Sequence, residues 1–135
     1  MKKITICVLA TSTIFFVCTA FFQEYDLVKS IERGKSVYTS NCRDCHMEGG
    51  IDPQDQYPPL AKADYLTKPS DSLINIVLHG QTGEIAVNGK KYNDEMLAQD
   101  YLADAQIADV LNYVRNSWGN KFDVITPQQV KSMRK

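Results

Sequence analysis

Apolar residues recur at helical spacing in the stretch that follows residue 24. Leu27, Ile31, Gly34 and Tyr38 fall at i, i+4, i+7 and i+11, which places them on one face of a helix over about residues 25–40. Gly34 interrupts this face, although glycine costs a helix roughly 1 kcal/mol relative to alanine. The pattern therefore predicts a helix that crosses another helix closely at Gly34.

A second amphipathic pattern, over residues 104–118, predicts the longest helix near the C-terminal end of the chain. Its apolar positions are spaced i, i+3, i+4, i+7 and i+11 and comprise Ile107, Val110, Leu111, Val114 and Trp118. Gly119-Asn120 is expected to end this helix, since both residues tolerate the backbone that follows a helical C-terminus.

Shorter signals predict two further elements between these helices. Ser70 is expected to cap a helix over residues 71–79, which Gly80 ends. Asn88-Gly89 suits a turn with positive φ, so the residues on either side predict a small β-hairpin.

The remaining segments are a long loop and a short tail helix. Residues 41–68 are rich in Gly, Pro, Asp and Gln and predict little regular structure beyond one turn near residues 60–65. A loop of this length in a small domain usually has a function. Thr126, with Pro127 and Gln129, predicts a capped, exposed tail helix. Because no alternation of strands and helices appears, the expected fold class is all-α with a small hairpin.

The N-terminus has the pattern of an export signal. Met1-Lys2-Lys3 is basic, residues 4–22 carry no charge, and Cys18-Thr19-Ala20 supplies small residues for a peptidase. We therefore expect residues 1–20 to be a signal peptide and the protein to be periplasmic or otherwise extracytoplasmic. An uncleaved anchor and a lipid attached to Cys18 are the alternatives.

Composition fits one soluble domain of modest charge. The chain has 135 residues, of which 44% are hydrophobic and 23% charged, with a formal net charge of -1. Without Lys2 and Lys3 the balance is 13 basic to 16 acidic residues, a net charge of −3. Nothing in this balance indicates nucleic acid as a partner, and a membrane is expected only if the leader is uncleaved or lipidated. Of four cysteines, only Cys42 and Cys45 follow the leader.

Cys42-Arg43-Asp44-Cys45-His46 is a c-type haem attachment sequence. Two thiols three residues apart can each add to a vinyl group of haem, and the imidazole that follows can bind the iron. A thioredoxin-like thiol pair, half of a zinc site and a simple disulfide are the alternatives. A thioredoxin-like pair belongs near a βαβ pattern, which the sequence lacks, and a zinc site needs a second ligand pair.

Met and His are the usual ligands on the opposite face of the iron. Met47 adjoins His46 and Met133 lies in the tail, so Met96, fifty residues after His46, is the preferred sixth ligand. It sits in a polar stretch, which is not the setting of an ordinary core methionine. His79 and an open iron position remain as alternatives.

From residue 25 to residue 120 the chain resembles class I cytochromes c. The resemblance rests on Gly34 to Tyr38 followed by the Cys-X-X-Cys-His motif, on Tyr57-Pro58-Pro59-Leu60, and on residues 102–120. It implies a cytochrome c fold over residues 24–120, followed by a tail over residues 121–135. It also implies that a proline carbonyl, assigned here to Pro59, accepts the ring N–H of His46. Leu97 and Ala103 depart from the family, in which a proline and a capping Ser or Thr are common at these positions.

The resemblance and the motif together predict a single-haem electron carrier with haem c bound through Cys42 and Cys45. We expect a haem pocket lined by apolar residues, with an ordinary hydrophobic core as the alternative role for all of them; they are Val37, Leu60, Leu66, Ile74, Leu78, Ile85 and Leu111. Redox proteins are the expected partners, and Lys90 and Lys91 form a candidate docking point. The alternatives are a haem-bearing subunit of a larger oxidoreductase and a ligand-binding haem enzyme or sensor.

Overall fold

The computed structural model describes residues 25–134, so the predicted signal peptide lies outside the described residues. Helices dominate, and the only strands within this range form one antiparallel hairpin, as predicted. None of the helices in residues 25–134 has the length and apolarity needed to cross a bilayer. The elements are α1 (Leu27–Asn41), α2 (Arg43–His46), a 3₁₀ helix (Asp64–Thr67), α3 (Ser70–His79), β1 (Ile85–Val87), β2 (Lys90–Tyr92), α4 (Asp104–Arg115) and α5 (Pro127–Met133).

Helices α1 and α4 cross at Gly34, as the interrupted apolar face predicts. A β-carbon added to Gly34 would lie 1.9 Å from the carbonyl oxygen of Asp109 and 2.8 Å from Cβ of Tyr113. Only a hydrogen at this position lets the two backbones approach so closely. The side chain of Asp26 caps α1 by accepting a hydrogen bond from the backbone N–H of Lys29, at 3.1 Å.

A buried polar network joins the same two helices. Asp109 is 3% exposed, and its carboxylate accepts hydrogen bonds from Tyr25 Oη (2.5 Å), Ser30 Oγ (2.6 Å) and Arg33 Nε (2.7 Å). Burial alone would raise the pKa of Asp109, but the hydrogen bonds from Arg33, Ser30 and Tyr25 together hold it below its ordinary value. The carboxylate is therefore ionised at neutral pH.

Helix α4 begins at Asp104, as the sequence predicts, but it ends at Arg115 rather than at Trp118. The side-chain amide of Asn116 donates to the carbonyl of Asn112 at 3.0 Å, and Asn120 donates to Val114 at 2.8 Å. These side-chain amides satisfy carbonyls in the last turn of the helix that further helical N–H groups would otherwise have bonded. The chain can therefore leave the helix after Arg115.

Helix α3 differs from its prediction at the other end, because it starts one residue earlier. Ser70 is its first helical residue, Pro69 precedes it, and no side chain caps the helix. The backbone N–H groups of Ser72 and Leu73 instead bond to the carbonyl of Pro69, at 3.0 and 3.3 Å. The predicted cap at Ser70 is wrong, whereas the predicted end at Gly80, which has φ of 79°, is confirmed.

The hairpin has the predicted turn. Asn88 and Gly89 both have positive φ, at 51° and 80°, which the tightest hairpin turns require. Asn88 also bonds reciprocally with Asp64: each backbone N–H donates to the other side chain, at 2.8 and 2.9 Å. This pair ties the hairpin to the 3₁₀ helix.

The tail helix α5 is not an exposed appendage, and that part of its prediction is wrong. Its capping box is formed, with Thr126 and Gln129 bonded as expected, but Val130 is fully buried, as is Ile125 just before the helix. Asn112 holds this segment, since its side chain exchanges two hydrogen bonds of 2.7 Å with the backbone of Ile125. Residues 121–133 therefore complete the hydrophobic core.

Candidate functional site

Cys42 and Cys45 lie where two helices meet. The backbone N–H of Cys42 closes α1 on the carbonyl of Tyr38 at 2.9 Å, and the single turn of α2 starts at the next residue. That turn spaces the two cysteines i, i+3, which brings side chains to one side of a helix. Cys42 is half-buried, Cys45 is exposed, and both thiols are free.

The imidazole of His46 is oriented by a backbone carbonyl. Nδ1 lies 3.2 Å from the carbonyl oxygen of Pro58. Because a carbonyl only accepts, Nδ1 carries the proton and Nε2 keeps its lone pair. Such an imidazole is the form that can bind a metal.

The predicted acceptor, Pro59, is therefore wrong by one residue. The loop turns back immediately after Pro59, since the N–H groups of Leu60 and Ala61 both donate to the carbonyl of Gly50, at 2.8 and 3.0 Å. This closure sets the register of the proline pair and leaves the carbonyl of Pro58 beside the ring.

Burial controls the protonation of these side chains. Desolvation lowers the pKa of His46, against a smaller opposing effect of the Pro58 hydrogen bond, so the imidazole is neutral at physiological pH. Burial, with the neighbouring Cys45 as a smaller cause, raises the pKa of Cys42 to about 11. The site thus holds a neutral imidazole beside a protonated thiol.

Met96 lies on a separate segment that packs against the end of α3. Its backbone N–H and carbonyl both bond to Gln81, at 2.9 Å each, and its side chain is half-buried. Gly80 permits this contact, since a β-carbon there would lie 2.4 Å from the carbonyl oxygen of Met96. Five residues later Tyr101 Oη donates to the side chain of Asn41 at 3.0 Å. This contact brings the Met96 segment to the residue before Cys42.

The competing ligands have other surroundings. Met47 has φ of 59°, and its carbonyl accepts a hydrogen bond from Tyr38 Oη at 2.6 Å. Met133 packs against the core from α5. His79 is exposed at the end of α3.

The seven apolar residues expected around the cofactor all belong to one core cluster. Leu66, Ile74, Leu78 and Leu111 are buried in it, while Val37, Leu60 and Ile85 pack against it half-buried. The structure therefore brings together residues from the loop, α1, α3, α4 and the hairpin.

The two hairpin lysines are both engaged in ion pairs. Lys90 pairs with Asp55, and Lys91 Nζ lies 2.8 Å from Glu84 Oε1. Neither is a free positive charge, which weakens the prediction that they form a docking point.

Comparison with known proteins places this arrangement in a family. The family described as cytochrome c matches residues 31–118. The chain belongs to the cytochrome c family. It is 36% identical to cytochrome c-552 of Thermus thermophilus over 110 residues, which cover 75% of this chain and 83% of that protein.

This cytochrome is also similar to parts of larger proteins. It is 33% identical over 109 residues to the cytochrome c subunit of alcohol dehydrogenase (quinone) of Gluconacetobacter polyoxogenes, of which the match covers 22%. It is 35% identical over 127 residues to the gluconate 2-dehydrogenase cytochrome c subunit of Pantoea cypripedii, of which the match covers 29%.

Membership in this family defines the cofactor and the general role. The cofactor is covalently attached haem c, and the protein is an electron carrier rather than a catalyst. The site fits this group: the two thiols of the motif are free, and the imidazole that follows them is neutral with Nε2 available.

Sequence reasoning missed two features of the site. The contact between Tyr101 and Asn41 joins residues 60 positions apart and has no local signal. Asp52, a buried residue whose carboxylate accepts three backbone N–H groups of the proline loop, was also missed. The turn-forming run Asp52-Pro53-Gln54-Asp55 could have indicated it.

Proposed function

We propose that this cytochrome is an exported single-haem electron carrier in a respiratory or dehydrogenase chain. Cys42 and Cys45 would attach the haem, and His46 and Met96 would be its axial ligands. The observation that carries the proposal is the imidazole of His46, which directly follows two free thiols and whose Nδ1 lies 3.2 Å from the carbonyl oxygen of Pro58.

The protein's contribution is to bind, orient and shield the cofactor. Haem supplies a one-electron couple, and a thioether ligand together with an apolar pocket raises its potential. His46 is fixed in one tautomer by Pro58, and the core cluster would provide the apolar surroundings of the haem. If His46 and Met96 both bind the iron, no position would remain at which a substrate could bind the metal.

The domain boundaries follow from the same proposal. Residues 1–20 would be a signal peptide that delivers the chain out of the cytoplasm, and residues 24–120 would form the cytochrome domain. Residues 121–135 would follow as an extension, and the burial of Ile125 and Val130 supports a structural role for it.

Exposed apolar side chains on the Met96 segment are the proposed contact for redox partners. Leu97 is 68% exposed and Tyr101 69% exposed, and the bond from Tyr101 to Asn41 places this ring beside the attachment motif. Contacts of electron carriers are small and short-lived, so a few exposed apolar residues suffice.

Replacing Met96 tests the ligand set. We expect Met96→Ala to abolish the near-infrared charge-transfer band of thioether-bound ferric haem and to lower the reduction potential, because the thioether ligand is lost. Met47→Ala is the matched control and should retain the band. A band that survives in Met96→Ala, or carbon monoxide binding to the reduced wild-type protein at neutral pH, would contradict this assignment.

The similarity of this chain to cytochrome c subunits of dehydrogenases favours a second candidate function. In this alternative the protein is an accessory haem subunit of a larger oxidoreductase. Purification of the full chain from its native membrane and periplasmic fractions separates the two. A diffusing carrier elutes as a haem protein of about its own mass, whereas a subunit elutes with a substrate-oxidising partner.

A further inference from the structure

The carbonyl that orients His46 belongs to a loop that is closed at its base. Residues 50–61 form this loop, and the carbonyl of Gly50 accepts hydrogen bonds from Leu60 and Ala61. Pro58 lies two residues before the closure, and its own nitrogen has no hydrogen to donate. The closure fixes the chain after Pro58, so the position of its carbonyl depends also on what holds the loop before it.

Asp52 holds that preceding part. Its carboxylate accepts the backbone N–H groups of Gln54 at 2.9 Å through Oδ1, and of Gln56 at 2.9 Å and Tyr57 at 3.2 Å through Oδ2. The residue is 6% exposed. A single side chain thus gathers three donors, the last of which is the residue directly before Pro58.

The loop is also tied from outside, but by groups that do not reach Pro58 directly. Asp55 accepts a hydrogen bond from Tyr92 Oη at 2.8 Å and pairs with Lys90, which fastens the tip of the loop to the hairpin. Asp55 itself has φ of 57°, and its N–H donates to the carbonyl of Asp52 at 3.0 Å. Apart from the closure on Gly50, the internal hydrogen bonds of the loop therefore converge on Asp52.

We propose that Asp52 is a positioning residue for the proximal ligand. By fixing Tyr57 it holds the carbonyl of Pro58 within hydrogen-bond distance of His46 Nδ1, although Asp52 does not itself contact the histidine. The inference rests on the proposed role of His46 as an axial ligand.

The consequence is electronic as well as structural. A hydrogen bond from the outer ring nitrogen makes a ligating imidazole a stronger donor, which favours the oxidised metal. Loosening the loop should weaken this bond. A weaker hydrogen bond would therefore stabilise the reduced iron relative to the oxidised iron.

The experiment compares Asp52→Asn with Asp64→Asn in the haem-loaded full chain. Both changes are isosteric and remove a carboxylate that accepts a backbone N–H, but Asp64 bonds to the hairpin turn and not to the proline loop. The readouts are the reduced-to-oxidised ratio against a redox mediator and the hydrogen exchange of the His46 Nδ1 proton by NMR.

We expect D52N to raise the reduced-to-oxidised ratio on the order of threefold and to speed Nδ1 proton exchange, because Asp52 acts on the ligand only through Pro58, whereas removing a direct partner of a ligand typically costs about 10- to 100-fold in metal affinity or activity. D64N should leave both unchanged. Equal effects of the two variants, or none in D52N, would overturn the proposal. If D52N does not accumulate with haem, Asp52→Glu, which keeps the charge but displaces it, is expected to shift both readouts in the same direction, and unchanged readouts overturn the proposal.

Failure of the proposed function would look different. In that case the wild-type chain would carry no covalently bound haem, or its haem would show no Nδ1 proton of a bound histidine. If the wild-type protein has a normal histidine ligand and D52N changes neither the reduced-to-oxidised ratio nor the Nδ1 proton exchange, only the role of Asp52 is refuted.

Discussion

At the scale of single residues, Gly34 makes the central helix crossing possible. A methyl group in place of its hydrogen would overlap the backbone of Asp109, which cannot rotate away as a flexible side chain could. With a methyl group at this position, α1 and α4 could still cross only if they moved apart, which would loosen the packing of the buried surface between them.

Gly34→Ala should therefore destabilise the protein by at least about 3 kcal/mol, the upper end of overpacking costs. Gly49→Ala is the matched control, because a β-carbon there meets nothing within 4 Å, and its effect should stay within about 1 kcal/mol. Denaturant unfolding of the haem-loaded variants measures both. A Gly34→Ala variant as stable as Gly49→Ala would show that the helices adjust freely.

Single residues also show how far the sequence can be interpreted. Gly34 was predictable because it interrupts an apolar face at a defined helical position, which demands a close neighbour. The attachment motif was predictable because its spacing is local. Pro58 was not separable from Pro59, since the choice depends on where a loop closes on Gly50, and no periodicity fixes that register.

At the scale of elements, the extension after α4 contributes to the core. Ile125 and Val130 are both fully buried, although the family match ends at residue 118. Asn112 of α4 secures the segment, and Arg134 beyond α5 donates to the carbonyl of Asp100 at 2.8 Å.

Removing buried methyl groups from α5 should therefore weaken the whole domain. We expect Val130→Ala to lower the free energy of unfolding by about 2 kcal/mol, from lost burial and the cavity left behind. Lys131→Ala, on the exposed face of the same helix, should change it by less than about 0.5 kcal/mol. Separate loss of α5, seen as an early transition with little effect on the main one, would contradict this expectation.

The sequence predicts which helices and strands are present better than it predicts the residues at which they end. Both long helices, α3, the hairpin and α5 follow from periodicity and turn chemistry. The end of α4 depends on Asn116 and Asn120, whose side chains bond to specific carbonyls in the folded chain. The burial of α5 depends on where the chain returns after residue 120, which is a tertiary property.

At the scale of the whole molecule, buried and hydrogen-bonded carboxylates make stability depend on pH. The hydrogen bonds that lower the pKa of Asp109 below its ordinary value stabilise the folded state only while the group is ionised. This contribution is present above the unfolded-state pKa of about 3.9 and is lost as pH falls through the lower folded-state value.

We expect Asp109→Asn to cost about 2–4 kcal/mol at pH 7, since it leaves Arg33 without its carboxylate and disturbs the four hydrogen bonds that Tyr25, Ser30 and Arg33 donate to it. The difference from wild type should shrink as pH falls below about 4, where the unfolded chain begins to bind the proton, and should keep shrinking until the pH passes the lower folded-state pKa. Unfolding curves from pH 7 to pH 2 measure it, with Asp100→Asn, an exposed carboxylate, as the control. A difference that stays constant over this range would contradict the role of the charge.

The chain's single tryptophan, Trp118, lies just beyond α4, with its ring centroid 5.2 Å from Tyr38 and 5.4 Å from Tyr113. A β-carbon on Gly50 would lie 2.7 Å from its ring, so the proline loop begins directly against it. Its emission therefore comes from the point where α1, α4 and that loop meet. Haem absorbs where tryptophan emits and quenches its fluorescence by energy transfer across a domain of this size, so loss of Trp118 emission would report the arrival of haem beside this junction.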